Sequence, residues 1–166
     1  MVNFTPSLTY RIGTNSVLKL DGKTNVSGFT CNCTERFPPQ TFSIEGQNAK
    51  ERTTTFRQTQ LSFNIKSLDC GNNKMNKDLQ KALNAGEYPA VTIELLKVKE
   101  DRCNQLTELK DWVKLKALTK ISLNGRSNDY WIDITAKKMA GNRFRFIGAR
   151  KFCMSDFGVT PPEAFM

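Results

Sequence analysis

The 166-residue chain predicts an all-β domain, a barrel or sandwich of about eight antiparallel strands with one short helix near residues 73–85. Three observations carry this. Apolar residues recur with a period of two in eight segments, turn signals separate the segments, and within the strands one parity is apolar while the other is polar. The length suits a single domain over residues 1–166 with a substantial core.

Strands are expected at 15–20 (NSVLKL), 24–33 (TNVSGFTCNC), 41–46 (TFSIEG), 55–68 (TFRQTQLSFNIKSL), 90–98 (AVTIELLKV), 115–125 (LKALTKISLNG), 130–139 (YWIDITAKKM) and 143–152 (RFRFIGARKF). Their β-branched and aromatic residues pack well on a half-buried pleated surface. Asp21-Gly22, Pro38-Pro39, Glu45 to Asn48, Gly125 to Asp129 and Gly141-Asn142 supply the turns. Gly28 and Gly148, inside strands, suit sharp bends or bulges at barrel corners. One segment, MNKDLQKAL (75–83), departs from period two. Met75, Leu79, Ala82 and Leu83 share one helical face, Asn72 or Asn73 can cap the first turn, and Gly86 follows as a stop. Lys74, Lys77 and Lys81 lie off that stripe, so the helix can cover a barrel end or a sheet edge while its ammonium groups stay in water.

Composition narrows the function. No run of 18 apolar residues crosses a bilayer, and the first ten residues show no signal peptide. Twenty-five Lys and Arg against sixteen Asp and Glu leave +9, which attracts phosphates, anionic lipid surfaces or nucleic acid and also serves solubility. The cations cluster at the helix and at Arg143, Arg145, Arg150 and Lys151. Interleaving in NRFRFIGARKF suggests a base-stacking platform, but alternation sends Phe144 and Phe146 to the core and leaves Arg143 and Arg145 wet. The RNP1 order also fails to match, so no nucleic-acid partner is expected.

The absence of histidine removes Ser-His-Asp and Cys-His pairs. Cys153 beside Arg150 and Lys151 is expected as a buried strand thiol, and Asp156 and Ser155 as turn residues bonded to backbone. Asp133 is the other carboxylate considered, with nothing to bring it to Asp156. No enzyme is expected. Five cysteines are odd in number, so at least one is unpaired within the chain. Cys31 and Cys33, two apart on one strand face and about 6.6 Å between Cα atoms, would reach separate partners if oxidised. With no histidine and no C-x-x-C pair, neither zinc nor any other cofactor is expected. The N-x-S/T triplets at Asn3, Asn25 and Asn32 read as chance in a chain rich in Thr and Asn.

The order LSFNIKSLDCGN, MNKDLQKAL, YPAVTIEL, ALTKISLNGRSNDYWIDI and GARKFCMSDFGVTPP resembles the YceI-like family from about Ser16 onward. The matching positions are Ser67, Asp78, Leu79, Tyr88, Pro89, Ile93, Asp156, Phe157 and Gly158. The two ends look most like exported members from Bacteroidetes-type bacteria. The resemblance implies a lipocalin-like antiparallel barrel, exported to the bacterial periplasm, that holds a long apolar lipid such as a polyisoprenoid, a quinone-like molecule or a fatty amide. Many members carry a histidine beside the first-strand serine, whereas this chain has Asn15-Ser16, so contacts through that histidine do not transfer.

On this reading the tail would touch Leu61, Phe63, Ile65, Val91, Ile93, Leu95, Ile121, Leu123, Ile132, Ile134, Phe144 and Phe146, with Met75, Leu79 and Leu83 of the helix over an opening. Nearby Lys or Arg would meet a polar head or an anionic membrane. The family continues past the Pro-Pro segment into a final closing strand that is not seen before Met166, which predicts a gapped barrel or a dimer or oligomer pairing through the open edge. A packed β-domain acting through its basic surface is the competing expectation.

Overall fold

The computed structural model describes residues 7–23, 28–100 and 111–160. The chain runs β1 (Ser7–Tyr10), β2 (Lys19–Lys23), β3 (Gly28–Cys33), β4 (Gln40–Asn48), β5 (Thr53–Arg57), β6 (Leu61–Asn64), β7 (Leu68–Asp69), α1 (Asn73–Ala82), β8 (Ala90–Glu100), β9 (Val113–Leu123), β10 (Arg126–Lys138) and β11 (Phe144–Gly148). The large sheet is antiparallel, in the order β1-β4-β5-β8-β9-β10-β11, and curls strongly into a half-barrel. β6 pairs the first half of β8, and β2-β3-β7 form a separate small sheet. The all-β, lipocalin-like expectation is therefore met, with the barrel open rather than closed: among the described residues β1 and β11 each have one neighbour.

The expected strand over 55–68 is instead β5, β6, a 3-10 turn over Ile65–Ser67 and β7. The break comes at Gln58, which adopts a left-handed φ of 59°, after which the Thr59 hydroxyl donates to the Leu95 carbonyl. β5 and β6 thus share one partner strand, β5 along Lys97–Lys99 and β6 along Ala90–Ile93. Glu45 to Asn48 is strand and not turn. The irregularities that bend the sheet lie between Ile44 and Gly46 and between Leu95 and Lys97, not at Gly28 or Gly148. Gly148 ends β11, where an added Cβ would stand 3.1 Å from Ile134 Cγ1, so its smallness serves strand-to-strand approach. Asp21-Gly22 likewise lies inside β2, and the Phe29 ring crosses the space a Gly22 side chain would need.

Between β9 and β10 the turn is Asn124-Gly125, both left-handed at φ 53° and 70°, and β10 begins at Arg126, ahead of the expected strand. Asn-Gly with two positive φ angles is the tight hairpin connection whose twist matches its strands. At α1 the Asn72 side chain accepts from Met75 N at 2.8 Å, as the capping pattern predicts. Asn84 rather than Gly86 ends it: Asn84 has φ 55°, its N–H donates to the Lys81 carbonyl and that of Ala85 to the Gln80 carbonyl. The expected strand over 143–152 ends at Gly148, and Cys153 is exposed beyond it, not buried in a strand.

The core gathers at one end of the half-barrel. Ile65, Leu68, Leu79, Leu83, Phe157 and Cys31 are buried together there with Phe63, Val91 and Leu123 of the large sheet. Cys31 of β3 is bonded to Cys70, just past β7, while Cys33 remains free beside the Ser67 hydroxyl at 3.5 Å. The two neighbouring cysteines do not bridge each other, as expected, but only Cys31 reaches a disulfide partner. The Cys70 amide donates to Asn76 Oδ1 of α1, and the Asp69 carboxylate accepts from Gly71 N and Asn76 Nδ2. Those donors, Gly71 first, hold the Asp69 carboxyl below the usual range.

Bridging residues 39 apart in sequence removes chain entropy from the unfolded state, worth about 2–4 kcal/mol. A Cys31→Ser/Cys70→Ser variant is expected to lose that amount in a denaturant titration. A midpoint equal to that of the parent chain would show the bridge to be dispensable.

Candidate ligand-binding trough

The inner face of the large sheet is the one that carries the core. Strand pairing extends it from the closed end outward: Ile93 stands opposite Ile121, Leu95 opposite Thr119, and Val98 opposite Ala117. The irregularity after Leu95 exchanges the parity, so Lys97 and Lys99 turn outward where continued alternation would have sent them in. On β10 the inward set is Tyr130, Ile132, Ile134 and Ala136, and on β11 it is Phe144 and Phe146, opposite Lys138 and Ala136. On the other flank Leu8 pairs with Phe42 and Ile44 with Phe56.

This face is buried at the closed end and along β9 and opens toward the sheet margins. At the closed end, Phe63, Ile65, Leu79, Leu83, Val91 and Leu123 are buried in the packed core, with Ile93 and Ile121 against it. Ile65 sits in the 3-10 turn and not in a strand. Leu61, Leu95, Ile132, Ile134 and the helix residue Met75 are half-buried. Phe144 and Phe146 are 38% and 56% exposed, against the expectation of core burial. The reason is positional: β11 is an edge, and no described strand lies beyond it. Leu8, on the inner face of the opposite edge strand β1, is also 46% exposed.

Several lining residues went unread in the sequence. Tyr10, Phe42 and Phe56 form an edge-to-face ladder with ring centroids 5.5 and 5.7 Å apart. Phe42 and Phe56 lay in segments correctly read as strands, whereas β1 itself gave too short a pattern to register. Tyr10 donates to Gln40 Oε1 at 3.2 Å, and burial raises its phenol pKa above the ordinary value. Leu115 and Ala117, on the apolar parity that alternation predicts, are buried on the inner face of β9 together with Thr119, which that parity did not include.

The residues Ser67, Tyr88, Asp156, Phe157 and Gly158 build the closed end. The Ser67 hydroxyl donates to the Asn64 carbonyl and its own carbonyl accepts from Thr34. The Tyr88 ring covers Gly125, where an added Cβ would come within 2.7 Å of it. The Pro89 carbonyl accepts from Ile65 N. Leu79 is buried and Asp78 half-buried on α1. Phe157 is 1% exposed, and its carbonyl accepts from Asn124 Nδ2, while Asn124 Oδ1 accepts from Asn84 Nδ2. Helix end, hairpin turn and C-terminal segment are thus tied through two asparagines.

The Asp156 carboxylate accepts from the Tyr130 hydroxyl at 3.0 Å, a side-chain partner in place of the expected backbone bond. Burial, then that bond, raises the Tyr130 pKa. Arg150 packs over the Tyr130 ring and donates to the Trp131 carbonyl. Among the described residues no group of three or more His, Cys, Asp and Glu could hold a metal. No helix there is long and apolar enough to cross a membrane.

A curled β half-barrel, a helix closing one end, and a Tyr-Pro strand and an Asp-Phe-Gly turn knitted into that closure agree with one family model, the YceI-like domain, which matches residues 13–165. The chain belongs to the YceI-like family. A search of curated proteins finds no match to it. In this YceI-like domain the Asp-Phe-Gly and Tyr-Pro residues act on the closure, and the open trough is lined by other positions. The family and the half-barrel fit a general role in binding lipid.

Gly158 adopts φ 66°, and an added Cβ would stand 2.7 Å from the Arg126 guanidinium carbon. Gly158→Ala is therefore expected to destabilise by about 1–2 kcal/mol, while Gly86→Ala, with nothing within 4 Å, stays within about 1 kcal/mol of the parent chain. Equal midpoints for the two variants in urea would contradict these assignments. A raised folded-state pKa at Tyr130 means that its stabilisation is complete below the unfolded value of about 10 and is lost as pH rises through the folded value. Tyr130→Phe is expected to flatten that alkaline loss in thermal melts, and an unchanged alkaline slope would refute it.

Proposed function

We propose that this YceI-like domain binds a long apolar lipid, such as a polyisoprenoid, a quinone-like molecule or a fatty amide, along the inner face of its half-barrel, without chemistry. The observation that carries the reading is the exposure of Leu8, Phe144 and Phe146 on the inner faces of the two edge strands. Large apolar side chains facing the mouth of an apolar trough are the surface that a long hydrocarbon covers, gaining about 25 cal/mol per Å² buried.

The tail would run over Leu95, Ile132, Ile134, Phe144 and Phe146. The packed residues Phe63, Ile65, Leu79, Leu83, Val91 and Leu123, with α1 above them, would form the floor at which it stops. Transport in a bacterial periplasm is part of the proposal. It is supported by the Cys31–Cys70 bridge, which suits an oxidising compartment. Absence of chemistry is supported by a 166-residue sequence with no histidine to serve as a general base. Among the described residues β1 and β11 each have one neighbour, which supports pairing with a second copy that light scattering after size exclusion would read as a dimer mass.

The test is native mass spectrometry of the purified protein, then organic extraction and lipid identification. A stoichiometric isoprenoid or long-acyl adduct is expected, and Phe146→Asp is expected to cut uptake of added polyprenyl lipid at least tenfold with an unchanged melting midpoint. A clean apo mass and no uptake by the parent chain would favour a packed β-domain acting through its surface.

A further inference from the structure

We infer that the outer face of the half-barrel, over β8, β9 and β10, docks the protein on an anionic phospholipid bilayer. Strand pairing puts Lys97 and Lys99 of β8, Lys114 and Lys116 of β9 and Lys137 of β10 on this face. Lys99 stands directly opposite Lys116, and like charges in that relation repel across a sheet. Asp133, opposite Lys116 on its other side, is the carboxylate within the group. Glu94 and Asp129 lie nearer the closed end, both opposite Lys120.

A concavity of about 400 Å³ is walled by Lys99, Lys116 and Trp131. It shares Lys99 and Trp131 with a second, of about 540 Å³, lined also by Lys50, Thr53 and Lys97, with Glu51 and Glu100 on its wall. Lysines outnumber carboxylates around this concave surface, and the excess positive charge attracts phosphate.

The aromatic residues specify which phosphate-bearing surface. Trp131 is 43% and Trp112 41% exposed, and the Lys137 ammonium lies 5.9 Å from the Trp112 ring centroid. Ile147, outward on β11, is 56% exposed. Indole rings beside ammonium groups suit a bilayer interface, where rings sit at headgroup level and lysines meet anionic phosphates. Single-stranded nucleic acid would need neighbouring aromatics for successive bases. Here Trp131 and the Lys137 that marks Trp112 are six residues apart on one strand, which separates the indoles by about 20 Å. The inference is independent of what the trough holds.

Both tryptophans of the chain belong to this face, so intrinsic fluorescence reports on it alone. Vesicles of mixed phosphatidylglycerol and phosphatidylcholine are expected to shift the emission to the blue and to sediment the protein, and phosphatidylcholine vesicles are not. High salt should release it. Each lysine near an anionic surface adds about a fivefold factor to binding, so Lys99→Gln/Lys116→Gln should weaken it about 25-fold, and Lys97→Gln alone about fivefold. Absence of any shift with the anionic vesicles, equal binding to both vesicle types, or full binding by the double variant would overturn the inference. Tighter binding of a single-stranded oligonucleotide, lost in the same variants, would overturn it in favour of nucleic acid.

Discussion

The Cys31–Cys70 bridge, with Ile65, Leu79, Leu83 and Phe157 packed around it, is the constraint on which the closed end depends. A short helix of ten residues is marginal by itself. It persists here because its apolar stripe faces a cluster that the disulfide already holds in place, and because its first turn reaches the Cys70 amide through Asn76. The small sheet β2-β3-β7 is marginal for the same reason and is held by the same bond. From this knot the large sheet extends outward; its inner face stays buried along β9 at Thr119, Ala117 and Leu115 and is exposed at the edge strands β1 and β11.

That gradient of coverage separates two jobs along one surface. Where Asn84, Asn124 and the Phe157 carbonyl join helix, hairpin and C-terminal segment, the side-chain amides of two left-handed residues bond to each other and to one backbone carbonyl. Further out, Tyr10, Phe42 and Phe56 line the face with aromatic edges, and at the two sheet margins Leu8, Phe144 and Phe146 face solvent. The change of parity after Leu95 has a second consequence. It turns Lys97 and Lys99 outward beside Lys116, so one bulge keeps ammonium groups out of the apolar trough and concentrates them on the outer face.

Much of this was legible because period-two alternation is a local property. Leu115, Ala117, Ile121 and Leu123 face inward as alternation requires, and Leu79 and Leu83 turn toward the core as helical spacing requires. Single residues that alter the chain's course were less legible. Gln58 takes φ 59° inside what reads as one long strand, and Asn84 ends a helix that Gly86 was expected to stop. Nothing local marks Gln58, because its conformation is imposed by two strands sharing β8. Asn-Gly at 124–125 carries a hairpin signal, but the expected strand runs through it and the expected turn spans Gly125 to Asp129, one residue past the start of the turn and well into β10.

The sequence by itself determined the all-β class, the amphipathic helix with an asparagine cap at 72 or 73, and the absence of a histidine base. All of these follow from short-range sterics, periodicity or composition. Only the tertiary structure decided that the inner face is buried at the closed end and along β9 and exposed at the edge strands. Phe63 and Phe146 have the same alternating context in sequence, yet one is 6% and the other 56% exposed. Their difference lies in what surrounds them: Phe63 is buried in the cluster that α1 joins through Leu79 and Leu83, and Phe146 lies on an edge strand. Coverage is a property of distant partners, and alternation along a strand carries no record of them.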